Sequence, residues 1–214
     1  RLKEYIPRGD VVKEAKKIAS DGRAGFLYDF GVNSAGTVKL RISGERGRQI
    51  DLQFGEYFAP DGEPDTSNIC FYPAGYSQRD VYILKGEGEE IFEPMFTYHG
   101  FRYCVVLGIT EQEATSDLLT FVVQNSALRE IGSFACSDDM TNKLQAMTRN
   151  SDLSNFYYFP TDCPHREKNG WTGDAALSAE HILMNLDAVN SYREWLRNIR
   201  AAQRADGALP GIVP

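Results

Sequence analysis

Three carboxylates lie close together within residues 161–174, which read TDCPHREKNGWTGD. Asp162, Glu167 and Asp174 follow neither a helical nor a strand period, so they are predicted to sit on a loop. Cleavage of a glycosidic bond needs a proton donor at the leaving oxygen and a second carboxylate on the other face of the sugar. Crowding and burial beside an aromatic ring raise the pKa of a carboxyl group and keep such a donor protonated. Trp171 is the aromatic residue in this stretch, so the residue types suit a carboxylate site.

Simpler roles compete with catalysis at each of these positions. Asp174 precedes the helical pattern AALSAEHIL and suits an N-cap, where it would satisfy free backbone N–H groups. Glu167 suits a solvated loop charge beside Arg166. Trp171 suits a core anchor, and His165, which has no metal-ligating partner nearby, suits an exposed position or a hydrogen bond to a site residue. The residue types alone leave these roles open beside catalysis.

The composition is that of a soluble globular protein. The 214 residues are 42% hydrophobic and 25% charged, with a formal net charge of −7. They contain no Lys/Arg-rich patch, so we expect no nucleic-acid partner. The apolar runs all fall short of the ~20 residues that a membrane-spanning helix needs, so we expect no membrane partner. The four cysteines form neither a CxxC pair nor a Cys/His cluster and are predicted to be buried free thiols: Cys70, Cys104, Cys136 and Cys163.

A strand period runs through residues 23–132. FLYDF and TVKLRIS each place alternate apolar residues on one face, and Gly31 and Gly36 are predicted to separate them into two strands. RQIDLQF repeats the pattern, and three further segments predict strands at residues 80–84, 101–108 and 118–124. Short strands with Gly-rich turns and no helices between them are typical of an antiparallel β-sandwich. Before them, residues 10–22 carry a weak helical pattern.

The period becomes helical near residue 137. SDDMTNKLQAMTRN predicts a helix with Ser137 as its N-cap and one apolar stripe formed by Met140, Leu144 and Met147. DAALSAEHILMNL and DAVNSYREWLRNIRAAQ predict two more amphipathic helices. Three such helices bury little by themselves, so we expect apolar surface to remain exposed and the protein to be longer than this chain. The absence of Met before Arg1 likewise indicates a processed or excised start.

The segment DCPHREKNGWTGD resembles the signature loop of bacterial α-L-rhamnosidases, glycoside hydrolase family 78, which usually reads DCPQRDERxGWxGD. The resemblance covers roughly residues 23–214, since YDFGVNSAGTVKLRISGERGRQIDLQFGE, DVYILKGEGEEIFEPMFTYHGFRYCVVLG and FACSDDMTNKL also resemble the family. It implies a multi-domain α and β architecture, an antiparallel β-sandwich followed by the first helices of an (α/α)6 barrel. The boundaries that follow are a charged N-terminal segment (1–22), the sandwich (23–133) and the start of the catalytic barrel (134–214).

The resemblance also implies an inverting hydrolase that releases terminal α-L-rhamnose from rhamnose-containing oligosaccharides or glycosides. Carried over to this sequence, Glu167 is the proton donor, Asp162 and Asp174 contact the sugar, and Arg166 and Trp171 belong to the pocket wall. The family's general base is a Glu much later in the barrel, so we expect it beyond residue 214 and expect these residues alone to be inactive. No metal or organic cofactor is expected, because two carboxyl groups and a water carry out inverting hydrolysis.

One departure from the family pattern lies within the loop. HREKNGW is one residue shorter than QRDERxGW, so one acid stands where the family has Asp-Glu. Counting back from Trp171 aligns Glu167 with the donor, whereas counting forward from Asp162 aligns it with the preceding Asp. We prefer the Trp171 anchor because no other acid lies between Arg166 and Trp171. Two alternatives remain: a helical-barrel glycosidase of another sugar specificity, and a carbohydrate-binding or structural module without catalysis.

Overall fold

The computed structural model describes residues 2–6, 10–18, 24–58, 64–65 and 78–213, with side chains for 25–57 and 78–213. Contacts along the chain define two compact units. The first, the sheet unit, is Lys3–Val123, and the second, the helical unit, contains Gln124–Pro214. Because the second unit carries residues 161–174, it carries all the residues that the sequence proposes for the site.

The sheet unit is a curled antiparallel sheet of eight strands. They are β1 (Leu2–Ile6), β2 (Asp10–Ile18), β3 (Ala24–Ser43), β4 (Gln49–Gly55), β7 (Arg79–Ile83), β8 (Glu89–Phe92), β9 (His99–Leu107) and β10 (Leu119–Asn125), while β5 (Tyr57–Phe58) and β6 (Pro64–Asp65) form a separate pair. The strand order is β1-β10-β3-β9-β4-β7, with β2 and β8 paired to β3. The long strand β3 pairs with β2 near its start, with β9 from Gly25 to Gly36, and with β10 and β8 toward its end. This architecture is consistent with the predicted sandwich.

The main hydrophobic cluster of the sheet unit lies on one face of the strands, and a smaller cluster of Leu27, Val105 and Leu107 is separate from it. Strand residues with a period of two point to one face, and the alternate apolar residues of β3 and β4 are all buried together. They are Phe26, Tyr28, Phe30, Val38, Leu40, Ile42, Ile50, Leu52 and Phe54. The faces predicted from alternation are confirmed, because a half-buried strand displays its pattern directly in the sequence.

Two predictions for this region are wrong. FLYDF and TVKLRIS are not separate strands, since both lie within the 20-residue strand β3. Its register with β9 shifts between Asp29 and Ser34, and Gly31, with a φ of +80°, lies in that irregularity, so a bulge bends the strand without ending it. The helical pattern at residues 10–22 is also overridden, because Asp10–Ile18 forms β2 and pairs with β3.

The helical unit contains three helices, as the sequence predicts. They are α1 (Asp139–Ser154), α2 (Thr172–Asn185) and α3 (Val189–Ala201), and a short hairpin of β11 (Phe156–Tyr157) and β12 (Phe159–Pro160) lies between α1 and α2. Phe156, Ile182, Leu186 and Ala188 form the small core of this unit. The N-cap of α1 is Asp138 and not Ser137, because the Asp138 carboxylate accepts a hydrogen bond from the Thr141 backbone N–H at 2.8 Å.

The helices leave much apolar surface exposed, as predicted. Met140, Leu144 and Met147 form the expected stripe of α1 and all three are exposed. Leu177 of α2 is 86% exposed, and Met184 of the same helix is exposed as well. Within the part of the chain that the structure describes, none of the helices has the length and apolar character needed to cross a membrane.

Candidate active site

The loop that carries Asp162 and Glu167 connects β12 to α2, whose first turn carries Asp174, and it is pinned by residues 211–213. The Val213 N–H donates to the Gly170 carbonyl at 2.9 Å, and the Thr172 N–H donates to the Gly211 carbonyl at 2.9 Å. The two segments approach so closely at Gly170 that an added Cβ would lie 2.1 Å from the Val213 carbonyl oxygen. Only glycine fits there, so this residue fixes the path of the loop into α2.

Glu167 is half-buried and held by its neighbours. Its carboxylate accepts a hydrogen bond from the indole Nε1–H of Trp171 at 2.9 Å, and its other oxygen lies 3.4 Å from Nε of Arg166. The structure therefore brings together Glu167, Arg166 and Trp171. Trp171 is 36% exposed and is not a core anchor, and the two contacts distinguish Glu167 from a simple solvated loop charge.

Asp162 is tied to the same loop through Cys163. The buried Cys163 thiol donates to one Asp162 oxygen at 3.1 Å, and the Asn169 N–H donates to the other oxygen at 2.9 Å. The Cys163 sulfur also accepts from the Glu167 backbone N–H at 3.1 Å. Burial raises the pKa of the Cys163 thiol, so the thiol keeps its proton and connects the Asp162 side chain to the Glu167 backbone.

Asp174 lies in the first turn of α2, and the N-cap role considered for it is wrong. The helix begins at Thr172, its N-cap is Trp171, and no side chain caps it. An acidic residue in the first turn still interacts favourably with the helix dipole. Among the described residues, none forms a hydrogen bond or ion pair with the exposed Asp174 carboxylate, so it is available to a ligand.

Asp162 and Asp174 line one open cavity of about 320 Å³. Its walls come from α1, from residues 155–162 and from α2, and most of the lining side chains can form hydrogen bonds. Within the described part of the chain, Glu167 and its two contacts Arg166 and Trp171 are not among the lining residues. The sequence-predicted residues thus form two groups in the structure: two carboxylates on the cavity, and the Glu167 group on the adjoining loop.

The cavity contains an ion pair that sequence reasoning missed. His181 Nδ1 of α2 lies 2.9 Å from the Asp152 carboxylate of α1, and the Asp152 side chain is only 5% exposed. Burial raises the pKa of Asp152, although the hydrogen bond from His181 and its charge partly oppose this shift. The spacing of Asp174 and His181, seven residues apart on one helix, could have placed both on one face. Nothing in the sequence pattern indicated Asp152 as the partner.

The cysteines follow the sequence prediction in part. Cys104 and Cys163 are buried free thiols, whereas Cys136 is exposed, and Cys70 lies outside the described residues. In the segments that the structure describes, no three His, Cys, Asp or Glu side chains are grouped as a metal site would require.

Two protein-family models match the chain, one in the sheet unit and one in the helical unit. The model of the bacterial alpha-L-rhamnosidase concanavalin-like domain matches residues 20–124, and that of the bacterial alpha-L-rhamnosidase 6 hairpin glycosidase domain matches residues 129–214. An alpha-L-rhamnosidase of Formosa agariphila is 37% identical over 94% of this chain and 20% of its own length. The chain thus spans about a fifth of the length of this relative.

Solved structures show the same similarity. The alpha-L-rhamnosidase of Dictyoglumus thermophilum superposes with a TM-score of 0.87 and 35% identity, covering 99% of this chain and 23% of that one. The Streptomyces avermitilis alpha-L-rhamnosidase, solved in complex with L-rhamnose, gives a TM-score of 0.82 and 34% identity over 97% of this chain and 20% of that one. With both family models matching in order along the chain, the chain belongs to the bacterial α-L-rhamnosidases, family 78 of the glycoside hydrolases.

Proposed function

We propose that the protein containing this chain is an inverting α-L-rhamnosidase that releases terminal L-rhamnose from oligosaccharides or glycosides. Residues 23–133 would be its β-sandwich, and residues 134–214 the start of its catalytic (α/α)6 barrel. The proposal is supported by the family membership and by relatives that are α-L-rhamnosidases, one of them bound to L-rhamnose. The observation that carries it is the carboxylate of Glu167 on a pinned loop, beside a cavity that Asp162 and Asp174 line.

Glu167 is the proton donor in this proposal. Its carboxyl group would protonate the departing glycosidic oxygen, while the Trp171 N–H and the Arg166 guanidinium hold its two oxygens in place. Asp162 and Asp174 would accept hydrogen bonds from hydroxyl groups of the rhamnose in the cavity. Their shared cavity supports this role because it presents both carboxylates to one ligand.

The second catalytic group is a base that activates water. Inversion requires a separation of roughly 6.5–9.5 Å between the two carboxyl groups, so that the water fits between the base and the sugar. We place this base beyond residue 214. The products would then be L-rhamnose of inverted anomeric configuration and the free aglycone or shortened glycan.

A leaving-group comparison tests the donor. Glu167→Gln in the full-length protein removes the acidic proton while preserving the acceptor for Trp171, so hydrolysis of a rhamnosyl disaccharide should fall on the order of 10²–10⁴-fold. Hydrolysis of 4-nitrophenyl α-L-rhamnoside should fall less, because nitrophenolate departs with little help from a proton. Glu180→Gln, an exposed position on α2, is the matched control and should leave both rates unchanged.

Three results would contradict the proposal. Turnover of another nitrophenyl sugar without turnover of the rhamnoside would show that the enzyme acts on a sugar other than rhamnose. Equal losses for both leaving groups would remove Glu167 from the donor role, and unchanged activity in the Gln variant would favour a non-catalytic loop. Proton NMR of the anomer first released from 4-nitrophenyl α-L-rhamnoside decides between inversion and retention.

A further inference from the structure

The Asp152–His181 pair lies on the wall of the cavity that also presents Asp162 and Asp174. On α2 the cavity-lining residues include Asp174, Ser178 and His181, which follow one another at intervals of four and three. This spacing puts them on one helix face, and seven residues extend about 10 Å along the helix axis. One face of α2 therefore carries polar groups from the Asp174 end of the cavity to the His181 end.

The two ring nitrogens of His181 have different surroundings. Nδ1 is hydrogen-bonded to the Asp152 carboxylate, which requires a proton on Nδ1 when Asp152 is ionised. No described residue forms a hydrogen bond or ion pair with Nε2. The His181 side chain is 40% exposed, whereas the Asp152 side chain is 5% exposed. The carboxylate therefore lies on the buried side of the imidazole ring, and the ring is accessible from the cavity.

A buried carboxylate that holds one imidazole nitrogen fixes the orientation and tautomer of the ring. With Nδ1 carrying the hydrogen, neutral Nε2 is an acceptor, and it suits the hydroxyl group of a sugar. Around it, the cavity offers carboxylate, hydroxyl and amide groups together with a few apolar side chains such as Ile182. This mixture suits a polyhydroxylated ring with one apolar edge.

We propose that His181 is a further sugar-binding residue of the cavity, with Nε2 accepting a hydrogen bond from a substrate hydroxyl and Asp152 acting as the positioning residue behind it. The inference rests on the proposed function, because it takes the ligand of the cavity to be a terminal rhamnose. The proposed contact lies at the end of the cavity that is farther from the N-terminus of α2. It also explains why the Asp152 carboxylate is buried between α1 and α2.

The rival explanation is purely structural, with the pair joining α1 to α2 and having no contact to a ligand. Two substitutions distinguish the two explanations, because each of them retains a polar group at the position of only one of the two ring nitrogens. His181→Asn keeps an N–H at the position of Nδ1 and hence the bond to Asp152, but it has no atom at the position of Nε2. His181→Gln reaches the position of Nε2 but gives up the Nδ1 contact.

The measurement is titration of L-rhamnose into the full-length protein by calorimetry, with steady-state kinetics alongside. His181→Asn should weaken L-rhamnose binding by about 2–10-fold, the equivalent of one hydrogen bond. KM should rise by a similar factor with kcat unchanged, since a hydroxyl contact away from the reacting bond acts equally on substrate and transition state. His181→Gln should recover part of the affinity, and Glu180→Gln should behave as the wild type.

Asp152 is tested through its effect on His181. Asp152→Asn leaves an amide oxygen that accepts the Nδ1–H, so KM should stay near the wild-type value. Asp152→Ala leaves the ring without its partner, and KM should rise as in His181→Asn. If the pair only joins α1 to α2, Asp152→Ala should lower the melting temperature without raising KM at an unchanged kcat.

A measurement on the wild-type protein tests the same contact without any substitution, so it does not depend on whether a variant folds. Diethyl pyrocarbonate acylates accessible imidazole nitrogens, and saturating L-rhamnose should protect the peptide that contains His181, read by mass spectrometry. Unchanged labelling in the presence of L-rhamnose, or wild-type affinity in a folded His181→Asn variant, would overturn the inference. A wild-type protein that neither binds L-rhamnose nor cleaves rhamnosides would instead overturn the proposed function.

Discussion

At the scale of single residues, Glu167 is held by contacts with neighbours in the chain. Trp171 and Arg166 hold its two oxygens, and Cys163 holds its backbone N–H while donating to Asp162. A proton donor must be placed within hydrogen-bond reach of the oxygen that it protonates, so such contacts matter for rate as well as for shape. They make the Trp171 N–H a positioning group for the proposed donor.

Trp171→Phe tests this positioning. The phenyl ring keeps an aromatic wall but removes the Nε1–H that Glu167 accepts, and a hydrogen bond to a charged group is worth about 1.5–3 kcal/mol. The kcat/KM of the full-length protein for a rhamnosyl disaccharide, whose leaving group needs the proton of the donor, should therefore fall roughly 10-fold or more. The melting temperature should fall less than on loss of a buried tryptophan N–H bond, because Trp171 is partly exposed.

Trp195→Phe is the matched control. The second tryptophan is buried and donates its Nε1–H to the Val213 carbonyl at 3.0 Å, a bond that does not involve the Glu167 side chain. Losing it should lower the free energy of unfolding by about 1–3 kcal/mol, and kcat/KM should fall less than in Trp171→Phe because the bond from the Val213 N–H to Gly170 is kept. If the two variants lost activity equally, general packing of the indole rings would account for the effect and the positioning role would be wrong.

At the scale of elements, the close approach of Gly170 to Val213 determines where the loop carries Glu167. Gly170→Ala places a Cβ against the Val213 carbonyl, so the loop must shift, and we expect a cost of about 1–3 kcal/mol in stability. Because the shift lies three residues from Glu167, kcat/KM should fall by at least roughly 10-fold. Thermal unfolding and rhamnoside hydrolysis of the full-length variant measure both effects.

Gly173→Ala is the companion change in the same loop-to-helix region. A Cβ at Gly173 meets no atom within 4 Å, and the residue already lies in the first turn of α2. Alanine there should stabilise the protein by up to roughly 1 kcal/mol through the lower conformational freedom of the unfolded chain. A larger activity loss in Gly173→Ala than in Gly170→Ala would contradict the importance of the Val213 contact.

These elements also show which features a sequence can predict. The buried faces of β3 and β4 were predictable because strand residues alternate between core and solvent. The continuity of β3 was not, since Gly31 reads equally well as a turn or as a bulge until the partner strand is known. Asp152 and His181 are 29 residues apart and meet only because α1 packs beside α2, a tertiary contact without a local signal.

At the scale of the whole molecule, the helical unit carries the proposed site but leaves apolar residues of all three helices exposed, among them Leu144, Leu177 and Leu196. Exposed apolar patches of this kind mark surfaces that contact other protein. The relatives that the chain matches are about five times its length. In the proposed enzyme, further helices of the barrel would cover these side chains and would bring the general base to the opposite side of the bound sugar.

The last prediction follows from that division of the catalytic groups. Residues 1–214 expressed alone should release no rhamnose from 4-nitrophenyl α-L-rhamnoside at concentrations where the full-length protein turns it over, because a donor without a base cannot activate water for inversion. The same fragment should also increase the fluorescence of anilinonaphthalene sulfonate, which reports exposed apolar surface. Circular dichroism of the fragment provides the control for folding. Rhamnose release by the folded fragment would show that the base lies within these residues, and Asp162 and Asp174 would be the first to test.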